Sequence, residues 1–243
     1  LAADSDNLYA VGQHTSSGVS VTKLNPAGVE QWSKTIELDD LSSAANALTA
    51  TTCCFAGSPT SSTAEYLIEN DGTTAFENLY VVGRDAFSNS TLVTRLDKFG
   101  NYITSYTLGD IFVNKMRLDR GNGDGIYIVG GGYYLDNTTR IPLAFRMTPE
   151  GVIQWQTQIS NGSENGEIKD VLPFGDDVYL AGYLNEGTNN NNAGLIARYT
   201  STGNSVWIEK LDNGTNNVAL NGVALDGVNV IASGIDNSNS VIY

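Results

Sequence analysis

The sequence predicts an all-β protein, a β-propeller of four-stranded antiparallel blades with about five blade repeats. Three observations predict this fold. A short apolar motif built around a tyrosine returns roughly every 50 residues, a glycine turn keeps nearly the same spacing, and every tryptophan follows such a turn. No helical period of adequate length is present. A length of 243 residues suits one all-β domain, so we expect residues 1–243 to form a single propeller or a segment of a larger ring.

The tyrosine motif predicts the second strand of each blade. Its clear copies contain Tyr9, Tyr80, Tyr127 and Tyr179, and a weaker fifth copy contains Asn229. These positions are 71, 47, 52 and 50 residues apart. Each copy is apolar at consecutive positions and rich in β-branched or aromatic residues, which is typical of a strand covered on both faces.

The glycine turn is expected to join the third and fourth strands of a blade. A proline or polar residue early in the turn and a glycine at its end favour a four-residue hairpin connection. A basic residue precedes each of these glycines, and the fourth residue after the glycine is tryptophan in three of the four copies. The basic residues are Lys23, Arg95, Arg146 and Arg198, the glycines are Gly28, Gly100, Gly151 and Gly203, and the tryptophans are Trp32, Trp155 and Trp207. We expect the basic residues to pair with acids of a neighbouring blade or to lie over a tryptophan.

One more strand is expected before each tyrosine motif, as in Val113–Leu118, Ile168–Leu172 and Val218–Leu225. At the two ends of the sequence this count leaves the first and the last blade one strand short. A strand-swapped closure or a longer polypeptide would supply those strands, and we favour the longer polypeptide.

One interval between repeats is longer than the others. From Ile36 to Tyr80 there are 44 residues, whereas the three equivalent intervals are 18 to 20 residues long. The extra residues fall within 51–75, a segment rich in Ser, Thr and Gly that contains Cys53 and Cys54. Insertions in repeat proteins map to loops on one face, often the binding face, so we expect a loop with a contact role here.

The combined motif, Tyr-x-x-Gly followed by a Lys/Arg strand, a turn glycine and Trp, resembles the bacterial β-propeller repeats often called SBBP repeats. The resemblance covers nearly the whole chain. It implies a propeller fold in a secreted or surface protein, and it implies no particular activity. The acidic, lysine-poor composition also resembles, more loosely, propeller-bearing virion structural proteins of tailed bacteriophages.

Charge and composition exclude several classes of function. The 27 acidic residues exceed the 13 basic ones and give a net charge of −14, which disfavours nucleic acid as a partner. No apolar run approaches the length of a membrane span, so membrane insertion is not expected. The only histidine, His14, falls in a predicted loop, and with two cysteines the chain has no two-histidine or cysteine-rich metal motif. We therefore expect no metal and no cofactor.

Two enzymatic alternatives were weighed against a binding role. A glycoside hydrolase would use carboxylates near the propeller axis, and Asp119, Asp170 and Asp226 lie at or near the ends of the predicted innermost strands. A quinone-dependent dehydrogenase would place a vicinal disulfide between Cys53 and Cys54 beside its cofactor, a feature that some propeller quinoproteins carry. The first alternative ranks above the second.

The sequence favours a non-enzymatic role over both alternatives, because no repeat is visibly specialised for catalysis. We expect a structural or adhesive propeller module of an extracellular or virion surface assembly. Its loops would bind a protein partner in that assembly or a surface glycan.

Overall fold

A computed structural model describes most of the chain. The described residues are 2–3, 7–14, 18–37, 67–70, 78–84, 91–118, 127–134, 139–148, 150–159, 165–185, 192–211, 217–237 and 239–243. They contain nineteen strands and no helix, which confirms the all-β prediction. The chain divides into two compact units, Leu1–Asp110 and Ile111–Tyr243.

The first unit contains two antiparallel sheets of four strands. Sheet 1 is formed by β1 (Ala2–Ala3), β2 (Leu8–His14), β3 (Gly18–Leu24) and β4 (Glu30–Glu37). Sheet 2 is formed by β5 (Leu67–Asn70), β6 (Asn78–Arg84), β7 (Thr91–Asp97) and β8 (Tyr102–Thr107).

The second unit contains three antiparallel sheets. Sheet 3 is formed by β9 (Ile111–Leu118), β10 (Tyr127–Tyr134), β11 (Arg140–Met147) and β12 (Ile153–Gln158). Sheet 4 is formed by β13 (Asn165–Phe174), β14 (Asp177–Asn185), β15 (Asn192–Thr200) and β16 (Ser205–Leu211). Sheet 5 has three described strands, β17 (Val218–Asp226), β18 (Asn229–Asp236) and β19 (Asn239–Ile242).

In every sheet, each strand pairs with the next strand along the chain. Two strands depart from the sequence prediction. The short strand β1 pairs with β2, so the first sheet has four strands and does not begin at its second one. The strand β5 lies within residues 51–75, where a loop was expected, and pairs with β6. Because each tyrosine strand bonds to the strand before it, part of the longer interval is needed to complete sheet 2.

The repeat positions line up as rows across the strands. In sheet 1, Lys23 stands opposite both Tyr9 and Trp32. In sheet 4, Arg198 stands opposite both Tyr179 and Trp207. Side chains directly opposite each other share one face of a sheet, and we call the face that carries this series the row face of each sheet.

The register of sheets 3 and 5 differs from the sequence alignment. In sheet 3 the residue opposite Arg146 is Ile128, and Tyr127 is one position away, opposite Met147. In sheet 5, Asn229 is the first residue after the hairpin and pairs with Asp226. Asp177 has the same place in sheet 4, two residues before Tyr179. The position equivalent to the tyrosine in sheet 5 is therefore Ile231 and not Asn229. A shift of one residue moves a side chain to the other face, which consecutive apolar residues do not reveal.

Within each unit, the row face of one sheet packs on the opposite face of the next sheet. In the first unit, Tyr9 and Val21 of sheet 1 form one buried cluster with Leu79, Val81 and Leu96 of sheet 2. Sheets 3 and 4 pack in the same way, and so do sheets 4 and 5. Strand β14 is therefore buried along most of its length on both faces, as the tyrosine motif predicted.

A tryptophan donates a hydrogen bond across each of two such sheet-to-sheet contacts. The Trp155 indole N–H donates to the Ser201 carbonyl oxygen at 2.8 Å, in the turn between β15 and β16 of the next sheet. The Trp32 indole makes the same bond to the Lys98 carbonyl oxygen at 3.2 Å. We call this contact the tryptophan–turn contact.

The turn glycine makes close approach of the indole possible. Gly203 has a φ of +87°, and a Cβ added there would lie 2.8 Å from the Trp155 ring. Gly175, in the hairpin between β13 and β14, also has a positive φ, yet a Cβ there would meet nothing within 4 Å. The two glycines thus share a left-handed backbone and differ in their surroundings.

This difference predicts unequal effects of alanine. Gly175→Ala should lower the free energy of unfolding by about 1 kcal/mol, the cost of a left-handed backbone for a residue with a Cβ. Gly203→Ala should cost at least about 1 kcal/mol more, because its Cβ also displaces the indole. Urea unfolding of the two variants and the parent chain measures both values. Equal losses would show that the tryptophan–turn contact does not require glycine.

Candidate functional site

A cluster of polar side chains connects the first strands of sheets 3 and 4 within the second unit. Strand β13 lies against both β9 and β17. Both β9 and β13 contain a β-bulge, at Asn114 and at Lys169, where a residue is skipped in the pairing. A bulge redirects the side chain of its extra residue. Together with Glu167 and Tyr183, these two residues form what we call the Glu167 cluster.

Glu167 is the centre of the cluster and is only 5% exposed. Its Oε2 accepts a hydrogen bond from Asn114 Nδ2 at 2.9 Å, and its Oε1 accepts one from Tyr183 Oη at 2.9 Å. Lys169 Nζ lies 2.7 Å from the same Oε1. Asn114 Nδ2 also donates to the Ile168 carbonyl oxygen at 2.7 Å. The carboxylate therefore contacts Lys169 on its own strand, Tyr183 on β14 and Asn114 in sheet 3.

These contacts shift two ionisation equilibria in opposite directions. Burial by itself raises the pKa of Glu167, but the hydrogen bonds from Lys169, Asn114 and Tyr183 outweigh burial and lower the pKa below its usual value. Burial, followed by the charge of the Glu167 carboxylate, raises the pKa of Tyr183 well above its usual value. At neutral pH, Glu167 is thus ionised and Tyr183 is protonated.

The protonation states define what the cluster can do chemically. A general acid needs a carboxyl that still holds its proton near the working pH, and a general base needs a free lone pair aimed at the substrate. Glu167 lacks this proton, and Tyr183 donates its hydroxyl proton in a hydrogen bond to Glu167. The cluster is suited to holding sheets 3 and 4 in register, with the partly exposed Lys169 as its contact with solvent.

The carboxylates expected for glycoside hydrolysis do not converge among the described residues. Asp170 Oδ2 accepts the backbone N–H of Val223 at 3.0 Å, which ties β13 to β17. Asp226 is exposed at the hairpin of β17, three residues beyond Val223 and therefore roughly 10 Å further along the strand. Asp119 lies outside the described residues.

Three of the four recurring basic residues lie over tyrosines, whereas one expectation placed them over tryptophans. Lys23 Nζ is 5.3 Å from the centre of the Tyr9 ring, and the Arg198 guanidinium is 6.0 Å from that of Tyr179. Arg95 lies over Tyr80 in the same way. Arg198 also pairs with Asp177, an acid of its own sheet, at 2.7 Å.

Sheet 3 lacks a tyrosine in its row, and its arginine has another partner. Arg146 Nη1 donates to the Ser201 carbonyl oxygen at 3.4 Å. That oxygen also receives the Trp155 indole N–H, so the arginine adds to the tryptophan–turn contact. The sequence shows that a basic residue and a tyrosine recur from repeat to repeat, but which residues stand opposite each other depends on the strand register.

Two asparagines were missed by the sequence analysis. Asn165 Oδ1 accepts the backbone N–H of Arg140, and Asn217 Oδ1 accepts that of Asn192, both at 2.9 Å. Each bond joins an asparagine at the beginning of one sheet to the first residue of the third strand of the previous sheet. The two bonded residues are 25 positions apart in both cases. The signal was present, because both asparagines stand just before or at the start of a first strand at one repeat interval.

Cys53 and Cys54 lie outside the described residues, whereas the backbone of His14 ends strand β2, where a loop was expected. The described part of the chain holds no group of three or more His, Cys, Asp or Glu side chains suited to a metal ion. It also contains no helix that is long and apolar enough to span a membrane.

The ionised state of Glu167 predicts a pH dependence of stability. A carboxyl whose folded pKa is lowered stabilises the fold above its unfolded pKa of about 4.3, and this contribution is lost as the pH falls through the lower folded value. Glu167→Gln should therefore lower the free energy of unfolding by about 1–3 kcal/mol at pH 7, and by less near pH 3.

Glu209→Gln, on the exposed side of β16, provides a matched control with the same change of charge. It should change stability by less than about 0.5 kcal/mol at pH 7. Denaturant unfolding between pH 3 and pH 7 measures all three chains. A parent chain and a Glu167→Gln variant with parallel pH profiles would contradict the assignment.

The chain matches no protein-family model, and a search of the curated proteins finds no match.

Proposed function

We propose that the chain is a non-enzymatic β-propeller module that displays loops on an extracellular or virion surface assembly. The observation that supports this most directly is the repetition of one four-strand meander with the same face-to-face contact between successive sheets of each unit. Asp170, one of the carboxylates considered for catalysis, instead accepts the backbone N–H of Val223 in the next sheet.

Repetition of one contact supports a propeller arrangement. Sheet 4 presents its row face to sheet 5 and receives the row face of sheet 3 on its opposite face. Sheets twist with a fixed hand, so the same relation applied repeatedly turns successive sheets about a common axis. The first strands β9, β13 and β17 would then be innermost, and the tryptophan strands outermost.

The connections between strands would carry the binding residues of such a module. In a meander of four strands, the connections after the second and after the fourth strand leave from the same end. These connections include residues 186–191, rich in Asn, and residues 38–66, the long interval with the cysteines. The Glu167 cluster lies toward this end, where β13 begins and β14 ends. Connecting loops on a rigid scaffold are common carriers of binding residues.

The composition of these loops indicates the kind of partner. Their Asn, Ser and Thr side chains both donate and accept hydrogen bonds, which suits the hydroxyls of a surface glycan and also the polar rim of a protein interface. With a net charge of −14 the module would repel other polyanions, so a neutral glycan or a protein partner fits best.

Replacement of residues 186–191 by a Gly-Ser segment of equal length should reduce adhesion of protein-coated beads to bacterial cells by tenfold or more. The reason is that the loop's hydrogen-bonding side chains are removed while β14 and β15 keep their connection. Val228→Ser serves as the control, since Val228 is 96% exposed in the hairpin at the other end of sheet 5 and should not affect adhesion.

Pretreatment of the cells separates the two kinds of partner. Adhesion lost after glycosidase treatment identifies a glycan, and adhesion lost after protease treatment identifies a protein. If the loop replacement and the Val228→Ser variant adhere as well as the parent chain, residues 186–191 are not a contact surface.

The non-enzymatic part of the proposal has its own test. Purified chain incubated with surface polysaccharides should release no reducing sugar, because Asp170 is engaged with Val223 and Asp226 lies far along β17. Release of sugar by the parent chain, together with its loss in Asp170→Asn, would establish glycoside hydrolysis instead.

A further inference from the structure

The two oxygens of the buried Glu167 carboxylate contact two different nitrogen atoms. Lys169 Nζ lies 2.7 Å from Oε1, and Asn114 Nδ2 lies 2.9 Å from Oε2. An amine and a side-chain amide are therefore held against one carboxylate, one on each of its oxygens. An amine and an amide can exchange partners to form a new amide bond, and this reaction needs a group that moves protons between the two nitrogens.

The hydrogen bonds of Asn114 determine which end of its amide faces the carboxylate. Nδ2 donates both to Glu167 Oε2 and to the Ile168 carbonyl oxygen, which is 2.7 Å away. Only the NH2 end of an amide can donate to two acceptors. The nitrogen that would leave during the exchange is therefore the one within hydrogen-bond distance of Glu167.

The backbone brings the two reacting side chains together from neighbouring sheets. Asn114 is the unpaired residue of the bulge in β9, and Lys169 is the unpaired residue of the bulge in β13. A bulge redirects a side chain without changing the rest of the strand. Because 28% of the Lys169 side chain is exposed, its flexible chain keeps room to turn toward Asn114 Cγ. Glu167, by contrast, is only 5% exposed.

We propose that Lys169 and Asn114 form an intramolecular isopeptide bond that links sheet 3 covalently to sheet 4. A bond forms between Lys169 Nζ and Asn114 Cγ, and the Asn114 Cγ–Nδ2 bond breaks. Glu167 is the catalytic residue, since its Oε1 takes protons from Nζ and its Oε2 returns them to Nδ2. Nζ gives up two protons, Nδ2 gains two and leaves as ammonium, and no oxidant or further reactant is needed.

The ionised state of Glu167 suits the first step of this reaction. An ionised carboxylate accepts a proton, and its transfer from the ammonium of Lys169 leaves two neutral groups, which burial favours over two charges. The neutral amine has the free lone pair that attacks Cγ. The carboxyl then holds the proton that Nδ2 needs. Reactants held in one site behave as if present at concentrations on the order of 10⁵ M, which offsets the low reactivity of an amide.

The reaction occurs once in each chain and does not depend on the proposed adhesive role. The intact mass of the purified full chain, measured under denaturing conditions, should be about 17 Da below the sequence mass, because ammonia is lost. Trypsin should fail to cleave after Lys169. Tandem mass spectrometry should find residues 99–115 joined through Asn114 to Lys169 of residues 147–198.

Three variants each remove one of the groups that the reaction requires. Asn114→Ala lacks the amide, Lys169→Arg keeps the positive charge but lacks the amine, and Glu167→Gln keeps the shape but cannot take up the proton. All three should have their full sequence mass. Lys210→Arg, on the exposed side of β16, is the matched control and should keep the mass deficit. The parent chain should unfold about 10 °C above Lys169→Arg, because a cross-link restricts the unfolded chain.

A different reaction can release ammonia and has to be distinguished. An asparagine followed by glycine, such as Asn165 before Gly166, can close to a succinimide with the same loss of mass. A succinimide hydrolyses in mildly alkaline buffer, whereas an isopeptide bond persists there. Three results would overturn the proposal. They are a parent chain of full sequence mass, a deficit that disappears in alkaline buffer, and a deficit retained by Lys169→Arg.

Discussion

The contact between a fourth-strand tryptophan and the glycine turn of the next sheet is the constraint on which the described architecture depends. Each small sheet has apolar side chains on both faces, so a sheet by itself would leave both faces in water. Stacking buries these faces without specifying a register. The hydrogen bond from Trp155 to the Ser201 carbonyl oxygen fixes the relative position of the two sheets, because its distance and angle are met at only one such position.

The polar groups of the first strands serve the same purpose. Asn114 leaves the ladder at a bulge and bonds to Glu167 of the next sheet, and Asp170 accepts the Val223 N–H of the sheet after that. A buried carboxylate is costly unless donors surround it, and Glu167 has three of them. Of the carboxylates that the sequence offered for catalysis, Asp170 is therefore engaged in joining two sheets.

The sequence predicts features that repeat along the chain, but it does not predict which face of a sheet a given residue occupies. The strands around Tyr179 and before it were predicted because apolar runs, turn glycines and tryptophans recur in phase. The row position in sheet 3 was assigned to Tyr127, yet Ile128 faces Arg146. This one-residue difference lies in the register of β10 against β11, and a register carries no strong mark in a run of consecutive apolar residues.

The sequence by itself determined the all-β class, the repeat length and the turns, because these depend on local patterns of apolar residues and glycines. Only the tertiary structure decided that Arg198 lies over Tyr179, that Asp170 binds Val223, and that Glu167 is ionised and enclosed. These features join residues from different strands or sheets. Their partners are selected by strand register and sheet stacking, which are properties of the folded chain and not of any short segment.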